Sequence, residues 1–173
     1  RTLLSNSVLN YKQNFANTAI SLVKEFGCVI GTFNNVVNFA FGLNSSKSIT
    51  LPNSVSTLPV YNNGILYIGT EVGEIYKFVI SNNDVTFEKD NSLSGTNKPV
   101  QIIANNNVIN VVYENSISNT NCTINGDSFI QVVKAVNENG TVMLYALTAN
   151  NKFYVIKDGS QISSFSVPNN LKV

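Results

Sequence analysis

Short runs in which apolar and other residues alternate recur along the chain, and the clearest pair lies at 65–78. Residues 65–70 and 74–78 each alternate with a period of two, and the stretch Glu71-Val72-Gly73 separates them. Alternation of this kind is typical of a strand with one buried face, and glycine favours a tight turn. The segment therefore predicts two antiparallel strands joined by a short turn.

This hairpin pattern returns in degenerate form along the chain. Residues 141–156 repeat it at an offset of 78, and residues 28–32 match 66–70 at an offset of 38. Segments 46–53 and 161–169 end alike, in an aliphatic residue followed by Pro-Asn, at an offset of 116. These spacings define a unit of about 39 residues, the size of a four-stranded propeller blade. The positions that mark the repeat are Gly31, Thr32, Gly69, Thr70, Gly73, Tyr76, Thr148 and Tyr154.

Four such units account for most of the chain. They are predicted at 15–53, 54–94, 95–128 and 129–169, and 1–14 is predicted to be the outer strand of a preceding blade. The first strand of each unit precedes a turn rich in Asn or Gly; these strands are predicted at 19–24, 57–61, 100–104 and 129–136. Asn-Gly between apolar strands is a strong hairpin signal. The sequence thus predicts an all-β fold: about four blades of four-stranded antiparallel sheet, forming one partial β-propeller domain over 1–173.

Two stretches depart from the repeat. Residues 114–128 contain no match to the aromatic strand, and they predict short, irregular third and fourth strands in that unit. An amphipathic helix over 14–26 competes with the strand at 19–24, because five apolar residues share one face at helical spacing: Phe15, Ala19, Leu22, Val23 and Phe26. The repeat register favours the strand.

The segment 65–78 resembles the repeat of pyrroloquinoline-quinone-type (PQQ-like) β-propellers, through its Leu66-Tyr-Ile-Gly-Thr and Gly73-Glu-Ile-Tyr motifs. The resemblance implies a propeller whose first strands line a central channel. The family includes quinoprotein dehydrogenases and also non-enzymatic scaffolds, such as the BamB lipoprotein of outer-membrane protein assembly. Since its members have more blades than the chain supplies, the resemblance implies completion by further sequence, a partner chain or a second copy.

The composition of the chain excludes some classes of function. Charged residues make up 12% of the chain and the net charge is +1, so the basic footprint of a nucleic-acid-binding protein is missing. No apolar run is long enough to span a membrane. The chain has 29 Asn, which we interpret as turn chemistry, because Asn tolerates left-handed backbone and bonds its own main chain.

The residue types also limit the chemistry. The chain has no His, which excludes Ser-His-Asp and Cys-His triads and His-containing zinc sites. Quinone-dependent members of the resembled family hold their cofactor under a Trp and against adjacent cysteines. This chain has no Trp, and Cys28 and Cys122 lie far apart, so we expect no cofactor. Two buried thiols are the preferred interpretation of these cysteines and a disulfide is the alternative.

Three weaker candidates remain. Glu71 and Glu74 form a conceivable acid–base pair, although a solvated turn is favoured. Asp127 is the one carboxylate of a loop that faintly resembles a calcium loop, so it is at most a weak metal candidate, and a loop tip is favoured. Five tyrosines could form an aromatic binding surface, although packing between blades is favoured: Tyr61, Tyr67, Tyr76, Tyr145 and Tyr154.

The sequence therefore predicts a non-enzymatic protein-binding scaffold, with no catalytic or cofactor-binding residues. Its partner would be another protein or the remainder of a propeller, and a homo-oligomer is possible. The BamB-like resemblance adds an expected location in the periplasm or cell envelope. The alternatives are a non-catalytic part of a quinoprotein-type enzyme and a self-associating surface subunit.

Overall fold

The computed structural model describes residues 20–23, 28–42, 44–105 and 107–166, and every regular element in these ranges is a β-strand. The strands form four antiparallel sheets in which neighbours along the chain are neighbours in space. No helix in the described part is long and apolar enough to cross a membrane. The all-β expectation is confirmed.

The chain divides into two compact units, Arg1–Asn97 and Lys98–Val173. The first unit contains sheet 1, with β1 (Ile20–Val23), β2 (Cys28–Phe33), β3 (Val36–Ala40) and β4 (Ser46–Thr50). It also contains sheet 2, with β5 (Val60–Asn62), β6 (Ile65–Gly69), β7 (Ile75–Ser81) and β8 (Asp84–Lys89).

The second unit contains sheet 3, with β9 (Pro99–Asn105) and β10 (Val108–Tyr113). It also contains sheet 4, with β11 (Phe129–Val136), β12 (Val142–Thr148), β13 (Lys152–Lys157) and β14 (Ser160–Ser166). Sheet 3 has two strands where four were expected, so the expectation of four-stranded sheets holds for the other three. The single-domain assignment over 1–173 stays a prediction.

The strand interpretation of 19–24 is confirmed over Ile20–Val23, which pairs with β2 from Ile20 opposite Gly31 to Val23 opposite Cys28. Inter-strand pairing supplies the backbone hydrogen bonds that a helix would have made internally. The rest of the alternative helix, at 14–19 and 24–26, lies outside the described residues. So does the outer strand predicted within 1–14.

Asparagine forms the turns, as the sequence predicts. In the part of the chain that the structure describes, six of the seven non-glycine residues with positive φ are Asn. Both central residues have positive φ in Asn63-Gly64, Asn82-Asn83 and Asp158-Gly159, each a two-residue link between paired strands. Such type I′ turns match the right-handed twist of the strands they join. The high Asn content is therefore a structural property of the hairpins.

An apolar layer between sheets 1 and 2 forms the core of the first unit. Phe39 of β3 and Phe78 of β7 are both fully buried, and their ring centroids lie 5.6 Å apart. Ile30 lies beside Phe39 on sheet 1, and Leu66 lies beside Phe78 on sheet 2. Burial of one Phe side chain stabilises a fold by about 1.5–3 kcal/mol.

The two segments matched at an offset of 38 meet in this core. The match of 28–32 to 66–70 pairs Ile30 with Ile68, and both side chains lie in the apolar layer that sheets 1 and 2 share. The structural equivalence of the two segments stays a prediction.

Sheets 3 and 4 share the core of the second unit. Val112 of β10 packs in one cluster with Val132, Leu144 and Ile156 of sheet 4. Gln101 joins the two sheets, since its Nε2 donates to the Val132 carbonyl at 2.7 Å and its Oε1 accepts from the Val132 amide at 2.9 Å. The Gln101 side chain thus supplies hydrogen-bond partners for both the amide and the carbonyl of Val132.

The stretch after β10 is irregular, as expected, but the described residues contain no third or fourth strand in sheet 3. Residues 114–128 contain only isolated bridges, from Val112 to Ile117 and from Ser116 to Thr123. Side-chain hydrogen bonds take the place of the backbone hydrogen bonds between paired strands. Asn110 Nδ2 donates to the Ser118 carbonyl at 2.7 Å, and Asn119 Nδ2 donates to the Ile109 carbonyl at 3.0 Å. Polar side chains that bond nearby backbone compete with regular pairing in this way.

Gly73 lies in a tightly packed turn between β6 and β7, where a substitution tests the packing. Its φ is +90°, and a Cβ atom there would lie 2.5 Å from the Gly95 carbonyl oxygen. Gly64 has a similar φ of +87° but no heavy atom within 4 Å of that position. We expect Gly64→Ala to lower the free energy of unfolding by about 1–2 kcal/mol. Gly73→Ala should lower it by roughly 2–4 kcal/mol, since backbone must also move.

Urea unfolding of the two variants measures this difference. Equal losses in both variants would contradict the close approach of Gly95 to Gly73.

Candidate protein-binding surface

The two best-matched repeats build the same five-residue turn. In the first unit the Gly73 amide donates to the Thr70 carbonyl at 3.0 Å, and the Glu74 amide donates to Thr70 Oγ1 at 3.2 Å. In the second unit, Asn151 and Lys152 make the equivalent bonds to Thr148, at 3.0 and 3.3 Å. Both threonines are fully buried. The offset of 78 therefore holds in register.

Each turn is also tied to the segment that leads into its sheet. The Glu71 amide donates to the Ser54 carbonyl at 2.8 Å, and the Ala149 amide donates to the Ser128 carbonyl at 2.9 Å. The residue before each serine is polar, and it is Asn53 in the first unit and Asp127 in the second. These bonds hold the turn and the incoming segment together as one rigid end of the sheet.

Glu74 anchors this end of sheet 2. Its carboxylate accepts from Lys89 Nζ at 3.0 Å, from Asn53 Nδ2 at 3.0 Å and from Tyr76 Oη at 3.2 Å. The hydrogen bond from Lys89, and then that from Asn53, lower the pKa of Glu74. A general acid near neutral pH needs a raised carboxyl pKa, so this environment favours an ionised structural anchor. Glu71 lies exposed in the turn.

A second network fixes the loop that follows β8. Asp90 Oδ1 accepts from the Ser92 amide at 2.9 Å, and Ser94 Oγ donates to the Asp90 carbonyl at 2.6 Å. Ser94 Oγ in turn accepts from the Ile75 amide at 2.9 Å, and the Gly95 amide donates to the Gly73 carbonyl at 2.9 Å. The loop is thereby held against the turn that contains Gly73.

In the second unit, Asp127 anchors the turn between β12 and β13, as Glu74 anchors the corresponding end of sheet 2. Its carboxylate accepts from Thr148 Oγ1 at 2.5 Å, from the Ser128 amide at 2.8 Å and from the Asn150 amide at 3.1 Å. Burial acts to raise the pKa of Asp127, but these hydrogen bonds outweigh it and the pKa is lowered. Among the described residues, no group of three or more acidic, His or Cys side chains could hold a metal ion. The structure places Asp127 in a turn network.

The remaining repeat residues lie inside the sheets. Gly31 pairs with Ile20 and Asn38 in sheet 1, and Thr32 is 3% exposed. The Gly69 amide donates to Thr57 Oγ1 at 2.9 Å. These residues stabilise strands and make no exposed chemical site.

The tyrosines divide between core and half-buried positions. Tyr76 lies in the apolar layer of the first unit, and Tyr154 packs against the core of the second with its ring 6.3 Å from that of Phe129. Tyr67 is buried, whereas Tyr61 and Tyr145 are half-buried. Tyr76 and Tyr154 therefore contribute to the cores of their units, and packing between blades stays a prediction.

Both cysteines are free, buried thiols, which confirms the preferred interpretation over the disulfide. Burial raises the pKa of Cys28 to about 11, and it also raises the pKa of Cys122. Thiols in such surroundings are weak nucleophiles, because the thiolate is the reactive form.

The outer strands of sheets 2 and 4 differ in charge. Strand β8 carries Asp84, Glu88 and Lys89, and Lys77 of β7 lies 3.0 Å from the Glu88 carboxylate. Strand β14 has the sequence Ser-Gln-Ile-Ser-Ser-Phe-Ser, with no charge and no proline, and all seven residues are exposed. Within the described residues, β14 pairs with β13 alone. No sequence motif marks this strand as a candidate site, and its lack of charge is the one signal that the sequence carries.

Two apolar side chains stand out on β14. Ile162 is 53% exposed at a register shift, and Phe165 is 55% exposed with its ring stacked 5.3 Å from that of Phe153. Natural proteins commonly protect an edge strand with charges, prolines or a covering segment. Strand β8 has such charges, and β14 does not.

No known protein family and no curated protein sequence matches the chain. Solved structures do match it. The computationally designed Ika8 protein has a TM-score of 0.62 at 8% identity, over 85% of this chain and 48% of its own. BBS1N in complex with ARL6DN, soaked with mercury, has a TM-score of 0.60 at 11% identity, over 88% of this chain and 54% of its own.

The lead-soaked crystal of the BBS1N complex gives a TM-score of 0.59 at 13% identity, over 88% of this chain and 57% of the match. The chain thus spans about half the length of the solved structures it matches. BBS1N is a β-propeller, so the fold of this chain is all-β and β-propeller-like.

The Glu74 anchor predicts a pH-dependent contribution to stability. Because its folded-state pKa lies below the unfolded value, the stabilisation is full above the unfolded pKa and is lost as the pH falls through the folded pKa. We expect Glu74→Gln to cost about 1 kcal/mol at neutral pH and progressively less in acid.

Urea unfolding at neutral and acid pH measures the effect. Lys89→Met, which removes the principal donor, should weaken the same pH dependence. A difference between Glu74→Gln and the wild type that grows in acid would contradict the assignment.

Proposed function

We propose that the chain is a non-enzymatic protein-binding scaffold of the β-propeller class, and that it binds an extended segment of a partner along β14. The observation that carries the proposal is the uncharged, exposed outer strand at one edge of sheet 4. An extended peptide can add to such an edge through main-chain hydrogen bonds, while alternate side chains enter neighbouring pockets. Ile162 and Phe165 supply apolar contacts for that peptide.

The rigid turns support this proposal. A scaffold binds with little ordering cost when its surface is fixed in advance. The buried Thr148 holds the turn between β12 and β13, and Asp127 holds the segment that enters β11. Sheet 4 therefore offers β14 as a fixed edge.

The blade arrangement gives further support. Each unit contains two sheets that share one apolar layer, as neighbouring blades of a propeller do. We extend this to four propeller blades, one of them with two regular strands, and to the PQQ-like family by the motifs in 65–78. The BBS1N structures contain a protein partner, which is consistent with a binding role for a fold of this class. A periplasmic or cell-envelope location is part of the same proposal.

A charge on β14 tests the proposal. We expect Ile162→Lys and Ser164→Lys to abolish capture of a partner that the wild-type chain binds, because a lysine on the edge opposes strand addition. Thr86→Lys on the exposed face of β8 is the matched control and should leave capture unchanged. Affinity capture from the source cells compares the three variants.

Hydrogen exchange locates the contact. Amides of β14 should exchange more slowly once the captured partner is added to the purified chain. Equal capture by all variants, no captured protein, or protection elsewhere with β14 unchanged would overturn strand addition.

A further inference from the structure

Three Asn-Gly pairs lie in the chain, at Asn63-Gly64, Asn125-Gly126 and Asn139-Gly140, and the Asn of each pair is exposed. In such a pair the backbone nitrogen of the glycine can attack the side-chain carbonyl carbon of the asparagine. Glycine has no Cβ atom to obstruct this approach. The attacked side chain then loses ammonia, so each pair is a candidate site of spontaneous covalent modification.

The glycine amides of two pairs are held by hydrogen bonds. The Gly64 amide donates to Tyr61 Oη at 2.9 Å, and the Gly140 amide donates to the Asn137 carbonyl at 2.9 Å. Asn137 Oδ1 accepts from two further amides of the same turn, at 3.0 and 2.8 Å. A nitrogen must lose its proton before it attacks, and a bonded amide gives up its hydrogen bond when it does so. These two pairs are therefore protected by the fold.

The pair Asn125-Gly126 is built differently. In the part of the chain that the structure describes, the Gly126 amide has no hydrogen-bond acceptor and the Asn125 side chain has no hydrogen-bond partner. Both residues are exposed, so water reaches them. The bonds nearby hold other groups: the Gly126 carbonyl accepts from Asn150 Nδ2 at 3.3 Å, and the Ile124 amide donates to the Asn115 carbonyl at 2.8 Å. The attacking nitrogen itself is left unrestrained.

We propose that Asn125 is a site of spontaneous deamidation, and that in the folded chain it reacts faster than Asn63 and Asn139. The Gly126 nitrogen gives its proton to a base in the solvent and forms a bond to Cγ of Asn125. The bond from Cγ to Nδ2 breaks, and ammonia leaves after taking up a proton. Water then opens the five-membered succinimide ring at either carbonyl carbon. The products are aspartate and its isomer, in which the main chain runs through Cγ.

Either product changes the surroundings of the Asp127 anchor, since the new carboxylate lies two residues away. The Asp127 carboxylate accepts from Thr148 Oγ1 and from the amides of Ser128 and Asn150. A second negative charge nearby opposes this ionised group. The isomer also adds one main-chain atom between Asp127 and the buried Ile124. We therefore expect deamidation to loosen the segment that enters sheet 4.

Peptide mapping by mass spectrometry, after incubation of the folded chain at mildly alkaline pH, measures conversion at each pair. We expect Asn125 to convert roughly two- to tenfold faster than Asn63 and Asn139, the factor that one net hydrogen bond supplies. In concentrated urea the three rates should converge, because no amide then has its folded partner. Asn125→Gln is the control and should remove conversion at this position, since its longer side chain closes a ring much more slowly.

Tyr61→Phe tests the physical cause, because it removes one hydroxyl and keeps the ring that packs against the core. The Gly64 amide then loses its acceptor, so Asn63 should convert at a rate closer to that of Asn125. The rate at Asn139 should stay unchanged, which checks that the variant is folded.

Three results would each overturn the proposal. They are a rate at Asn125 no higher than at the other two pairs in the folded chain, the same ratio of rates in urea, and a rate at Asn63 that Tyr61→Phe leaves unchanged. None of them depends on capture of a partner by β14, so the proposed scaffold function is tested separately.

Discussion

The apolar layer between sheets 1 and 2 is the interaction on which the first unit depends. Phe39 and Phe78 are fully buried there, and each is flanked by strand partners that point into the same layer. The layer fixes the register of both sheets, because a slip of one residue would expose the apolar side chains of a strand to water. The turn at Thr70 and the edge at β8 owe their positions to this constraint. The second unit has a corresponding layer, in which Val112 of sheet 3 packs with Val132 and Leu144 of sheet 4.

A chain with few charges keeps its sheets ordered by polar groups of other kinds. Asn residues in left-handed backbone close the hairpins, and buried threonines cap the turns at Thr70 and Thr148. Gln101 and Asn110 bond backbone groups that regular pairing would otherwise satisfy. Every buried side-chain nitrogen or oxygen in the described part has a hydrogen-bond partner. Neutral polar side chains therefore close the hairpins and bond the backbone groups that strand pairing leaves open.

Much of the fold could be predicted from local patterns. Alternation and Asn-Gly turns identify the strands around Gly64 and Gly73, and the repeat at an offset of 78 is correct in register because both copies contain the Thr turn. The match of Cys28–Thr32 to Leu66–Thr70 does not extend into the turns, because β2 and β3 are joined by two residues, whereas β6 and β7 are joined by five. Ile30 and Ile68, which this match pairs, both lie in the apolar layer between sheets 1 and 2. Only tertiary packing shows this.

The candidate sites were less predictable, because they depend on what covers a surface. The carboxylates of Glu74 and Asp127 attract attention in the sequence, yet hydrogen bonds from Lys89 and Thr148 make them structural. The surface that supports a binding role, strand β14, carries no distinctive motif. Its signal is exposure without charge, which follows from pairing and burial as well as from residue type.

The contact between sheets 1 and 2 holds the first unit together. Nuclear Overhauser effects between the aromatic protons of Phe39 and Phe78, in a sample with labelled Phe, measure that contact in solution. We expect a strong signal between these rings, together with cross-strand signals that place Ile30 opposite Phe39 and Leu66 opposite Phe78. Absence of the ring contact, or a register in which Ile30 and Leu66 point away from each other, would contradict it.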